Sequence, residues 1–318
     1  MKKHLLSVTL LIAALALTSC SKATQPVSGG GNTGGGGALT ADQVQVNGVL
    51  GTNLDLVDED VWQSDALQSY DAVSGFAAVR PLRFRRVITN VDRQVTTEFG
   101  QPDSSGKPTL ALVTVRRHIT GSFNLLAGAA DSTDTTKNVF QKPIDDQSTR
   151  RILLMRMPAR EPAWRDSADR DSVRWRMVGT SFVETHTNGG STHIVSVRVQ
   201  AGPLDTTITD PLEMHRLRRI AHFMPNTPVR LTVTTTRNDD VVLFYGRDAR
   251  RRFRNNGDNT YTFDLNAGIF PGVRHIGIDA LSRGTLFDDT AAYDANAWML
   301  PFSTDPRMPG GMQPVERR

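Results

Sequence analysis

The sequence predicts a mainly β protein in two parts. One helix lies on a curved antiparallel sheet in an α+β domain, and a two-layer β-sandwich follows. Three observations lead to this reading. Apolar residues alternate with period two over most of the chain. Short strand segments separated by turn residues recur at close spacing after Pro228, as sandwiches require. A single stretch, near residues 59–78, shows helical spacing instead. Composition agrees: 38% hydrophobic residues and 26 glycines suit a packed core, and the 16 prolines add turns.

The chain opens with a short basic segment, Met1–His4, and an apolar run from Leu5 to Leu17 broken only by Ser7 and Thr9. That run has the length of a signal-peptide core and is short for a membrane span. It ends in Leu17–Thr18–Ser19–Cys20, and Cys20 is the only cysteine of the 318 residues. No intrachain disulfide or cysteine-based zinc site can form.

Leu17 to Cys20 resembles the bacterial lipoprotein signal, in which a Leu, two small residues and a Cys form the lipobox. The resemblance implies that residues 1–19 are removed and that Cys20 receives a diacylglyceryl group on sulfur and a further acyl chain on its amine. Two or three such chains hold a protein on a bilayer, at about 0.8 kcal/mol per buried CH₂. Ser21 rather than Asp follows the cysteine, which resembles lipoproteins sorted to the outer membrane. The expected location is thus the bacterial cell envelope, with the membrane as partner through Cys20.

Residues 20–40 are rich in Gly, Ser and Thr and read as a flexible tether with a reach of about 25 Å. The formal charge is +4. Lys2 and Lys3 leave with the leader, and the small remaining excess argues against a nucleic-acid binder.

The first domain is expected over 41–203. Trp62, Ala66, Tyr70 and Val73 recur at helical spacing, with Gly75 and Pro81 to end the helix. Strand patterns follow at Leu82–Arg85, in part of Val91–Phe99, and at Leu110–Phe123, Arg151–Met157, Val173–Val178 and His193–Val199. Val195, Val197 and Val199 fall on one face of the last, with polar residues opposite, as in an antiparallel sheet with one wet face. The polar stretch 126–149 reads as a long connection or insertion, and 159–172 as a mixed-charge loop.

Gly202–Pro203 reads as a boundary, with a connector over 204–220. Asp210–Pro211–Leu212–Glu213 suits a capped helix start, whereas Met214–Phe223 equally suits an edge strand. From Val229 to Thr234 the pattern alternates. Val241–Tyr245 is apolar throughout, as a central strand would be. Asn256–Gly257 marks a hairpin into Tyr261–Leu265. Pro271–Gly272 then precedes a strand in which Ile276 and Ile278 alternate with Gly277 and Asp279, and Trp298–Phe302 supplies the last strand. Strand spacing, the Asn-Gly turn and the PG…I-x-I-x-A segment over 221–303 resemble the immunoglobulin-like β-sandwich modules of bacterial surface proteins. Residues 304–318 read as a frayed tail.

Chemistry is sparsely marked. His186 and His193 are seven apart, as are His215 and His222, and neither pair has the i, i+4 spacing of a helical zinc site. Glu184 and His186 share a strand face, but no nucleophile motif accompanies them. Asp288, Asp289, Asp294 and Asn296 gather oxygen ligands of the kind a hard cation takes, and such residues equally build turns. Arg247, Arg250, Arg251, Arg252 and Arg254 form a run able to face phosphate or carboxylate, or simply a solvated loop.

No cofactor is implied. The sequence favours a lipid-anchored, non-enzymatic binding or scaffolding module, with an envelope protein or glycan as partner. The alternatives are an envelope hydrolase or carbohydrate-active enzyme built from scattered residues such as Glu184, His186 and His193, and a carrier of a small apolar ligand held between the helix and the curved sheet.

Overall fold

Two antiparallel sheets carry nearly all of the computed structural model, which describes residues 40–52, 68–69, 79–129, 137–157, 174–217, 220–245, 250–268 and 272–304. The leader, Cys20, nearly all of the tether, the 159–172 loop, Arg247 and the tail from 305 lie outside these residues, as does most of the helix expected over 59–78. Within that stretch Gln68–Ser69 form a strand, β1, paired with Phe84 and Arg83. The helix on the sheet is instead α1, Ala41–Thr52. Its start is a capping box. Gln43 N–H donates to Thr40 Oγ1 (3.2 Å), and Thr40 N–H donates to Gln43 Oε1 (2.9 Å).

Beneath α1 runs a meander of long strands: β2 (Val79–Phe99), β3 (Leu110–Ala129), β4 (Lys137–Met157) and β5 (Arg174–Thr187). Most of the expected 126–149 connection is therefore strand. Every second residue of β4 from Lys142 to Leu154 is buried, including Lys142, Asp146, Ser148 and Arg150. Polar side chains at inward positions erase the hydrophobic alternation by which a sequence announces a strand.

The sheet curls strongly. Register shifts fall at Pro81/Arg83 and Ile88/Asn90 between β2 and β3, and at Arg150/Ile152 and Leu153/Leu154 between β4 and β5. Each inserted residue bends and twists its strand. Gly121 lies opposite the Ile88/Asn90 bulge, where Val87 and Ile88 backbone atoms leave no room for a Cβ.

The second half is a sandwich. One sheet has the order β13 (Arg254–Asn255), β14 (Thr260–Asn266), β10 (Pro228–Thr235), β6 (Ile194–Ala201), β7 (Leu204–Ile208). Facing it are β12 (Arg250–Arg252), β11 (Val241–Tyr245), β15 (Gly272–Leu281) and β16 (Ala295–Thr304). With β6, β10, β11, β13, β14, β15 and β16 lettered A to G, and the edge strands β7 and β12 set aside, the order is A-B-E-D against C-F-G, the immunoglobulin arrangement. Val197, Leu231, Tyr261, Ile278 and Trp298 are among the side chains that fill the space between the sheets.

Strand pairing departs from the expected domain limits. β6 pairs with β10, so the sandwich begins near residue 194, and Gly202–Pro203 is the turn of the β6–β7 hairpin, with Gly202 at φ 57°. Asp210 Oδ1 accepts from Leu212 N–H in a turn, not a helix. Met214–Phe223 holds two short strands, β8 (His215–Arg216) on β5 and β9 (Ala221–Phe223) parallel to β16. In β6 the expected Val195/Val197/Val199 face is broken. A bulge opposite Thr234/Thr235 inserts Val195, which is 48% exposed, while Ile194, Val197 and Val199 are buried.

β5 joins the halves by pairing with β16 over Val183–His186 and Asn296–Met299. The long strands then fold back over the outer face of β11, β15 and β16. Phe84, Phe123, Leu125 and Ile144 meet Leu243, Ala297 and Met299 there. The three central strands are thus covered on both faces, which is why Val241–Tyr245 reads as apolar throughout.

Candidate functional site

The most concentrated polar chemistry lies where the curled sheet closes. Arg86 of β2 and Asp279 of β15 are both fully buried and form a bidentate pair, Nη1–Oδ2 2.8 Å and Nη2–Oδ1 3.1 Å. Arg86 also donates from Nε to Tyr293 Oη and from Nη1 to Tyr245 Oη, each at 2.9 Å. Tyr293 donates onward to Asp146 Oδ2 (3.2 Å), whose other oxygen accepts from Thr187 Oγ1 (2.8 Å). Burial opposes the charge on Arg86, but Asp279 and the two tyrosines hold its pKa well above the ordinary value. Burial pushes Tyr245 and Tyr293 upward, and lifts the Asp146 carboxyl to about 6 against the pull of Arg86.

A second stitch lies beside the first. Lys142 Nζ of β4 donates to the carbonyls of Gly284, Thr285 and Asp288 at 2.9, 2.9 and 2.6 Å. It thereby caps the C-terminus of the short helix α2, Arg283–Phe287. Both assemblies bind the long strands to the sandwich. Sealed from solvent, the Arg86 cluster acts as a lock. The sequence pattern does not reveal it, because Arg86 sits in an Arg-rich strand and only Asp279, a carboxylate inside Ile276–Leu281, breaks an otherwise apolar pattern.

The structure divides the arginine run between two sheets. Arg250–Arg252 lie on β12 and Arg254 on β13, and the chain crosses over at Phe253, whose side chain is buried between the sheets. Arg250 stacks over the Tyr245 ring at 4.1 Å and so belongs to the edge of the lock. Arg251 lines an open groove of about 620 Å³ with Gln200, Arg230 and Asp264, in which Arg230 Nε donates to Asp264 Oδ1 at 2.7 Å. Arg252 lies opposite Leu243, and Arg254 opposite Thr262.

The acidic residues are drawn apart in the same way. Asp288 Oδ1 accepts from the N–H groups of Thr290 and Ala291 within its own turn. Asp294 accepts from Ser191 and Thr192, bracing the β5–β6 loop. Asn296 is buried, accepting from Ile194 N–H and donating to Thr185 O. Asp289 is exposed in the turn between α2 and β16. Among the described residues no three His, Cys, Asp or Glu side chains gather as a metal ion would require.

Glu184 and His186 do share one face of β5, and Asn296 Nδ2 lies 3.5 Å from Glu184 Oε1. His193 is exposed beyond the strand end, where its N–H donates to Thr236 Oγ1. The space under α1 is filled by Val46, Leu50 and Trp175 side chains, and Trp175 Nε1 donates to Asp42 Oδ1 at 3.0 Å. Among the described residues no helix is long and apolar enough to cross a membrane.

Burial at the turn into β11 pushes the Asp240 carboxyl from 3.8 to about 6. The folded state then holds this proton more tightly than the unfolded chain does, so stability falls as pH rises from about 4 to about 6. Asp146 acts in the same direction. Asp240→Asn is expected to raise stability by about 1–2 kcal/mol near pH 7.5, allowing for residual solvent screening, and to leave it unchanged near pH 4. Urea unfolding at the two pH values checks this; an equal gain at both refutes it.

No family model, curated protein or solved structure matches the chain.

Proposed function

We propose that this protein is a lipid-anchored module of the bacterial cell envelope, held through Cys20, that presents a rigid β structure for binding or scaffolding and does not catalyse a reaction. The continuity of the sheet carries this reading. Hydrogen-bonded strands run from the α1-covered end, through the β5–β16 pairing, into the sandwich. The tether enters at Thr40, beside α1. Along β5, Trp175 under α1 and Thr187 at the sandwich are separated by about 40 Å of strand at ~3.4 Å per residue. A leash at one end and a sandwich at the other suit display away from a bilayer. The buried Arg86 and Lys142 stitches suit a scaffold whose halves keep one arrangement.

Detergent phase partition of the full chain expressed in a bacterial host tests the anchor. The processed protein is expected in the detergent phase, and Cys20→Ala in the aqueous phase. An unaltered chain that stays aqueous, or that retains residues 1–19 by intact mass, overturns the proposal.

A further inference from the structure

The large sheet forks, and the fork leaves a cavity. β16 pairs with β5 only through Asn296–Met299, whereas from Phe302 to Thr304 its neighbour is β9. β5, for its part, pairs with β8 at Gly179–Thr180. Leu300 and Pro301 fall between the two pairings, where the strands part. The two short strands β8 and β9 occupy the wedge without filling it. β7, the outermost strand of the smaller sheet, roofs the gap.

The resulting pocket has a volume of about 170 Å³. Phe182, Leu300 and Phe302 line it from the large sheet, and Leu204 and Ile208 from β7. A dry apolar cavity of about 150 Å³ holds benzene, so the space matches a single six-membered ring with one or two substituents.

Two polar side chains, Thr206 of β7 and His215 of β8, interrupt this wall, and only the imidazole offers a buried polar atom. His215 of β8 stacks on Phe182, with ring centroids 4.5 Å apart and planes at 18°. Its Nε2 is buried and has no hydrogen-bond partner among the described residues. Burial lowers the pKa of the ring, although Glu213 and Asp210 pull the other way. The imidazole is therefore neutral near pH 7, and its Nε2 donates or accepts according to tautomer. An unpaired buried nitrogen is costly, and a ligand hydroxyl that pairs with it relieves the cost.

We propose that this pocket binds a small phenol-class molecule, its ring among Phe182, Leu300 and Phe302 and its hydroxyl on His215 Nε2. The apolar walls select one ring, and the imidazole selects a ligand with a hydroxyl over the bare hydrocarbon. The site is independent of the anchor at Cys20 and lies in the sandwich, not under α1.

The test uses the full chain in detergent with 4-methylphenol and toluene as probes, read by isothermal titration and by NMR of the His215 ring. 4-Methylphenol is expected to bind at least tenfold more tightly than toluene and to shift the His215 resonances. His215→Phe is expected to abolish that preference. Ile208→Trp, which fills the cavity from an edge strand, is expected to abolish binding of both probes with the circular dichroism spectrum unchanged. Absence of 4-methylphenol binding, equal affinity for the two probes, or a preference that survives in His215→Phe overturns the proposal.

Discussion

Arg86→Leu lowers stability by about 3–5 kcal/mol. Asp279 is then left as a buried carboxylate without its cation, and breaking such a pair from one side costs that much. Tyr245 and Tyr293 lose the donor that their hydroxyls accept from. The mechanism predicts a second result: Arg86→Leu with Asp279→Leu recovers most of the loss, because no charge remains to be solvated. Urea midpoints for the two single variants and the double variant check both statements. If the double variant is less stable than either single one, the cluster does not act as a charge lock.

Gly121→Ala is expected to cost about 1–3 kcal/mol through overpacking, although it adds only one methyl group. A Cβ at this position would sit 2.2 Å from Val87 O and 2.9 Å from Ile88 Cα. Those are backbone atoms of the bulged strand, so no side chain can turn aside to make room. The bulge must move, and with it the bend that brings β2 over the sandwich. Gly48→Ala is the control. It lies inside α1 with no described residue outside the helix within 4 Å of its Cβ position, so the same change there gains up to about 1 kcal/mol of helix propensity. Thermal unfolding of both variants distinguishes the site-specific clash from a general effect of glycine replacement.

Much of the sandwich is legible in the residue pattern alone. Val229–Thr234, Val241–Tyr245, the Asn256–Gly257 turn, Ile276 with Ile278, and Trp298 all fall where the alternation places them. Val229–Thr234 has one dry face and alternates, whereas Val241–Tyr245 and Trp298 lie on strands covered on both faces, so hydrophobicity tracks burial in each case. β4 announces itself only over Arg151–Met157; before that Lys142, Asp146, Ser148 and Arg150 point inward, Lys142 donating to α2 and its C-cap, Asp146 accepting from Thr187 and Tyr293, and Arg150 donating to Thr180. α1 is hidden for a different reason. Its buried residues Val46 and Leu50 form only a narrow stripe, and Val44 is 56% exposed. Its one clear local signal is the capping pair, Thr40 followed three residues later by Gln43.

The candidate sites fare according to how local their chemistry is. The arginine run and the acidic loop are neighbours in sequence, and the fold distributes them over different partners. The fork pocket gathers Phe182, Leu204, His215 and Phe302 from segments far apart in the chain, so no spacing rule could have linked them.

Local alternation and turn chemistry alone determined that this chain builds antiparallel sheets and ends in a sandwich, since those preferences act over a few neighbouring residues. Only the tertiary structure decided that the two halves share one sheet, that Arg86 meets Asp279, and that a cavity opens beside His215. Each of these depends on which strands pair across long sequence separations, and pairing is chosen by the energy of the whole closed core.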